Sequence, residues 1–108
     1  MYDVPSVSPT ELAEEMKGAN PPVLLDVREA EELEISRLPN VVHIPLHEVP
    51  ERMEELSRES EIVVICRTGG RSGQATAFLL HHGFDSVRNL AMGMNGWART
   101  VDPSMPQY

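Results

Sequence analysis

Two spacings of apolar residues alternate along the chain: short continuous runs and steps of three or four. The runs are residues 23–27 (VLLDV), 41–45 (VVHIP), 61–66 (EIVVIC) and 86–90 (SVRNL). Runs this short and rich in β-branched residues predict strands, and strands apolar on both faces suit a parallel sheet. Residues 61–66 are the most hydrophobic and predict the central strand.

Helical spacing fills the intervals. In residues 6–18, Leu12 and Met16 share a face; Ser8 is a candidate N-cap, Pro9 suits the first helical position, Glu11 completes a capping box, and Gly18 is placed to end the helix. Residues 20–22 (NPP) form a turn. Residues 29–39 are acidic, with Leu33 at a helical position and Pro39 closing the segment. Residues 48–57 put Val49, Met53 and Leu56 on one face, which predicts an exposed amphipathic helix whose acids form a solvated side. In residues 72–83, Ala75, Phe78, Leu79 and His82 recur at helical spacing before Gly83. Residues 92–100 predict a loop and a short helix, and the proline-rich tail an extended segment.

Strands alternating with helices predict an α/β fold, a parallel sheet with helices on both faces. The 108 residues fit one domain, with a core expected from about residue 18 to about residue 104. A hydrophobic fraction of 41% and a charged fraction of 24% are those of a globular chain.

The net charge of −8 argues against nucleic acid or an acidic membrane surface as partner. No stretch approaches the length of a membrane span. The first sixteen residues have neither a basic start nor an apolar run, so no signal peptide is expected. With a single cysteine and no disulfide to form, this predicts a reducing, cytoplasmic setting.

That cysteine opens the segment CRTGGRS, residues 66–72, directly after the central strand. In open parallel sheets, ligands bind outside the carboxyl ends of the strands, which is where Cys66 falls. Gly69 and Gly70 can take positive φ, and a tight loop can turn successive N–H groups inward as an anion-binding nest. A helix starting near Ser72 adds unpaired N–H groups, and Arg67 and Arg71 add permanent charge. A thiolate is stabilised in such a field, and the same donors can hold an anionic substrate. The plainer alternative is a small, inert cysteine at a strand end. Asp26, inside a buried strand, needs a partner, and Arg28 is close enough in sequence to be one. His43, His47, His81 and His82 are scattered and give no ligand set, so neither metal nor organic cofactor is expected.

Cysteine phosphatases also place a cysteine and an arginine on a strand–loop–helix, but with five residues between them. Here four intervene, Arg67, Thr68, Gly69 and Gly70. The tighter loop suits a sulfur atom on Sγ better than a phosphoryl group.

At this point the chain resembles a rhodanese, a single-domain sulfurtransferase, over nearly its whole length. Residues 24–46 (LLDVREAEELEISRLPNVVHIPL), 62–84 (IVVICRTGGRSGQATAFLLHHGF) and 87–97 (VRNLAMGMNGW) resemble that family's three signatures in order. The departures are Arg37 for a usual His, Asn40-Val41 for Gly-Ala, and Met92-Gly93 for Gly-Gly. The resemblance implies a five-stranded parallel sheet and Cys66 as catalytic nucleophile. It implies that the loop Arg67, Thr68, Gly69, Gly70, Arg71 and Ser72 binds substrate, with Arg71 bracing and Arg67 meeting the donor. Asp26 and Arg28 are expected in support. The implied partners are a small anionic sulfur donor, thiosulfate or a persulfide, and a thiol or protein acceptor. Trp97 is expected as a core anchor, and Met92, Met94 and Met105 as a candidate apolar rim. A sulfur-relay or redox-sensing module docking through residues 48–57 stays open as an alternative. So does a phosphatase or arsenate reductase.

Overall fold

The structure, a computed structural model, describes residues 3–108. The strands are β1 (Ser6–Val7), β2 (Val23–Asp26), β3 (Val42–His43), β4 (Glu61–Ile65) and β5 (Ser86–Leu90). They form one sheet in the order β1-β5-β4-β2-β3, and every neighbouring pair is parallel. The helices are α1 (Pro9–Met16), α2 (Ala30–Ile35), α3 (Val49–Arg52), α4 (Gly70–His81) and α5 (Gly93–Thr100). Among the described residues no helix is long and apolar enough to cross a membrane.

The run that predicted the central strand is β4, third of the five. Its alternation sorts the core, because successive side chains of a strand point to opposite faces. Ile62, Val64 and Cys66 face a cluster with Leu25, Val27, Val87 and Leu79 of α4. Val63 and Ile65 face the opposite cluster with Leu24, Leu12 of α1, and Met94 and Trp97 of α5. Helices therefore cover both faces, and Cys66 falls on the α4 face. Trp97 is a core anchor, 6% exposed.

The sequence pattern outlines four strands; the fifth, β1, is a two-residue segment paired through Ser6 with Asn89 and Val7 with Leu90. Two residues carry no periodicity, so only the sheet edge it occupies reveals it. The capping box of α1 forms as the residues suggest: Glu11 N donates to Ser8 Oγ at 3.1 Å, and Ser8 N to Glu11 Oε1 at 3.0 Å.

Residues 48–57 correct the expectation of one amphipathic helix. Three short pieces stand there, a 3₁₀ turn at Leu46–Glu48, the four-residue α3, and a 3₁₀ turn at Met53–Glu55. At Arg52 the backbone opens to φ −113°, ψ 2°, which ends the α conformation. The apolar face survives the break, since Val49 and Leu56 are buried and Met53 packs against them. The start of α4 is also corrected, from near Ser72 to Gly70.

β2 connects through α2 to β3, away from β4, and β4 connects through α4 to β5 in the other direction. A crevice opens at such a switch point, between the loops that leave the carboxyl ends of the two strands. One loop carries Arg28, and the other starts at Cys66.

Candidate active site

Cys66 follows Ile65, which pairs with Asp26 in the register of β4 and β2. The thiol is 1% exposed. Gly69 N donates to Sγ at 3.1 Å, and Ser72 Oγ also lies 3.1 Å from Sγ.

The loop closes because Gly69 takes φ 107°, ψ −10°, as the N-cap of α4. That conformation is open to glycine and strained for other residues. Gly70 is already helical, so of the two glycines only Gly69 supplies the positive φ. Its carbonyl accepts from Gly73 N at 3.0 Å and begins the helix. The N–H groups of Gly70, Arg71 and Ser72, in the first turn, have no carbonyl of their own helix to bond.

The other side of the loop is held by α5. Met94 N donates to Cys66 O at 2.9 Å and Asn95 N to Arg67 O at 3.0 Å. Fixing these carbonyls on α5 holds the turn in which the Gly69 N–H reaches Sγ. Gly93 makes the contact possible, since a Cβ there would collide with the carbonyls of Cys66 and Arg67.

The arginines divide their work. Arg71 makes a two-pronged salt bridge to Glu32, 2.7 and 2.9 Å, and ties α4 to α2 across the crevice. Arg71 first of all holds the Glu32 carboxyl down, helped by Glu29 N–H and the Tyr108 hydroxyl, to about 2. The Arg71 guanidinium is correspondingly pushed up by Glu32. Arg67 is exposed and has no carboxylate partner among the described residues; its guanidinium lies 5.1 Å over the Tyr108 ring. It is the uncompensated cation of the loop. Thr68 and Gly70 border a cleft of about 460 Å³ between the loop and β1.

Asp26 and Arg28 are paired as their spacing suggested. Both are fully buried, with Nη2 2.8 Å from Oδ2 and Nε 3.0 Å from Oδ1. Arg28 also donates to the carbonyls of Glu32 and Ser36, so the buried pair holds α2 in place. Neither residue bonds the thiol; Arg28 reaches instead the backbone of the helix that carries Glu32. Of the methionines, Met92 stands at the rim, 54% exposed, while Met94 is buried in the core and Met105 packs beside it.

Two residues of the site have little signal in the sequence. Tyr108 accepts from Arg28 Nη1 at 2.8 Å and donates to Glu32 Oε1 at 2.9 Å. Asn89 donates from Nδ2 to Gly69 O at 3.1 Å, and its Oδ1 accepts from the Ser72 hydroxyl. Tyr108 reaches the site from 76 positions away, which no local pattern encodes. Asn89 leaves a faint trace, as an amide of low strand propensity near a strand end.

A family model described as the rhodanese-like domain matches residues 8–100. The Bacillus subtilis protein YrkF, whose name proposes a sulfur carrier, is 47% identical over 68% of this chain and 40% of its own. A protein named sulfurtransferase from Allochromatium vinosum is 34% identical over 82% of both chains. The human single-domain sulfurtransferase TSTD1 is 27% identical, with a TM-score of 0.77, covering 89% of this chain and 96% of that one. The chain thus spans less than half of YrkF and most of the other two. The thiol at the carboxyl end of β4, the loop around it and the parallel sheet beneath agree with these likenesses: the chain belongs to the rhodanese-like domain family.

Proposed function

We propose that this protein is a sulfurtransferase that carries a sulfane sulfur on Cys66 as a persulfide, with thiosulfate as a competent donor. The observation that carries this reading is the pair of polar contacts on Sγ, the Gly69 N–H and the Ser72 hydroxyl oxygen, each at 3.1 Å at the floor of a four-residue loop.

In the first step the Cys66 thiolate attacks the outer sulfur of thiosulfate. The new Sγ–S bond forms as the S–S bond of the donor breaks, and sulfite leaves with the bonding electrons. The persulfide is left with a negative terminal sulfur. The loop N–H groups and the positive end of α4 stabilise that charge where it appears. In the second step cyanide in an assay, or a thiolate in the cell, attacks the terminal sulfur and releases the Cys66 thiolate. The scheme is ping-pong, with a covalent intermediate.

Arg67 recognises the anionic donor, because Arg71 is committed to Glu32 and Arg28 to Asp26. Steady-state thiosulfate:cyanide turnover tests the assignment. Cys66→Ala abolishes turnover, and Arg67→Ala raises KM for thiosulfate about tenfold, the loss of one charge-assisted hydrogen bond, with little change in kcat. An unchanged KM overturns the role of Arg67.

The likeness to YrkF favours a second reading, in which the persulfide is cargo for a protein acceptor and thiosulfate turnover is slow. The acidic segment 48–57 is a weaker docking face for it than its sequence suggests. Arg52 pairs with Glu48 and Glu55, and Arg58 with Glu54. Negligible kcat/KM together with a stable Cys66 persulfide identifies this case.

A further inference from the structure

The Ser72 hydroxyl has one hydrogen and two claimants. Its oxygen lies 3.1 Å from Cys66 Sγ and in short hydrogen-bond contact with Asn89 Oδ1. The orientation of the amide follows from its other bond. Asn89 Nδ2 donates to Gly69 O, so the end facing Ser72 is the oxygen, which only accepts. Ser72 is fully buried, and its hydroxyl cannot serve both acceptors at once.

The two ionisation states of Cys66 resolve the conflict differently. As a thiol, Cys66 S–H donates to Ser72 Oγ, and the hydroxyl donates onward to Asn89. A thiolate can only accept, so the hydroxyl turns to Sγ and Asn89 Oδ1 loses its donor. We propose that Asn89 is a positioning residue that acts through Ser72, setting the resting direction of that hydroxyl so that forming the Cys66 thiolate breaks a hydrogen bond. The same amide ties β5 to the loop at Gly69, whose N–H is the other donor to Sγ. This inference builds on Cys66 as the reacting thiol.

The charged groups around the thiol do not compete for this hydrogen. Arg71 is paired with Glu32, and Asp26 with Arg28 at the neighbouring end of β2. Arg67 lies over the Tyr108 ring at the rim. No carboxylate or amine of the described residues contacts the Ser72 hydroxyl or the Asn89 amide.

The test is the pH profile of Cys66 alkylation by iodoacetamide, unambiguous because the chain has one cysteine. It is recorded for the native protein, Asn89→Ala, Ser72→Ala and the double variant. Losing the amide's tie to Gly69 affects both backgrounds alike, so the informative quantity is the difference between them. Asn89→Ala is expected to move the midpoint to lower pH by about 0.5–1 unit more with Ser72 present than without it, the equivalent of one hydrogen bond. An equal displacement in both backgrounds, or none in either, overturns the proposal. The isosteric Asn89→Asp serves if the alanine variant does not fold. Its carboxylate grips the hydroxyl harder, so the midpoint rises, and rises more with Ser72 than without. An equal rise is again fatal to the idea. Alkylation needs no sulfur donor, so this proposal and the sulfur-transfer reading fail on different measurements.

Discussion

At φ 57°, Gly93 brings its bare Cα against the backbone of Cys66 and Arg67, and Met92 just before it is held at φ 64°. The two residues are alike in backbone and opposite in consequence. A methyl at position 93 has nowhere to go, since what it meets is backbone. Gly93→Ala is expected to destabilise the fold by about 2–4 kcal/mol and to loosen the loop. Met92 instead exposes its side chain and bears a left-handed strain that glycine does not have. Met92→Gly is expected to raise stability by about 1 kcal/mol. Urea denaturation of both variants checks the pair of signs. Asn40, at φ 60°, is the other residue besides glycine with positive φ among the described residues. Both Asn40 and Met92 stand where the family pattern carries glycine. Those two departures were visible in the sequence, but their backbone meaning was not, because a residue name alone does not report φ.

The brace between α2 and α4 is an element-scale feature with a pH signature. Glu32 is held near 2 in the folded protein, whereas an ordinary glutamate sits near 4.5. A lowered folded value means that the pair stabilises the fold in full above the ordinary range and loses that contribution as pH falls towards 2. Glu32→Gln lacks the contribution throughout. The stability advantage of the native protein over Glu32→Gln is therefore expected to shrink between about pH 5 and about pH 2. Chemical denaturation midpoints of both proteins across that window decide it; a constant difference contradicts the assigned partner. The sequence showed the acidic helix and the arginine, but not that they meet, since 39 residues separate them. Helix ends were easier to read. Ser8 and Glu11 cap α1 within four residues of each other, and local chemistry of that kind is legible before folding. Segment 48–57 differs from its helical expectation because its apolar spacing fits a helix, while spacing cannot report a backbone break at Arg52.

Across the whole molecule, the sheet order turns a run of seven residues into a site. β2 and β4 lie side by side with connections leaving in opposite directions, so the loops after them face each other over a crevice. The most hydrophobic run had to be the central strand, and the thiol just past its end had to stand at that crevice. Cys66, the turn at Gly69 and the pairing of Asp26 with Arg28 were therefore within reach of the sequence. Tyr108 and β1 were not, because only the assembled fold brings them to the loop and the sheet edge. The molecule carries a net charge of −8, yet its loop holds an exposed arginine, Arg67, with no carboxylate partner among the described residues. That contrast is what the proposed chemistry requires, and the persulfide on Cys66 is its central claim. Intact mass after incubation with thiosulfate tests it most directly. The expected result is a gain of one sulfur atom, removed by cyanide and missing in Cys66→Ala. An unchanged mass in the native protein would contradict it.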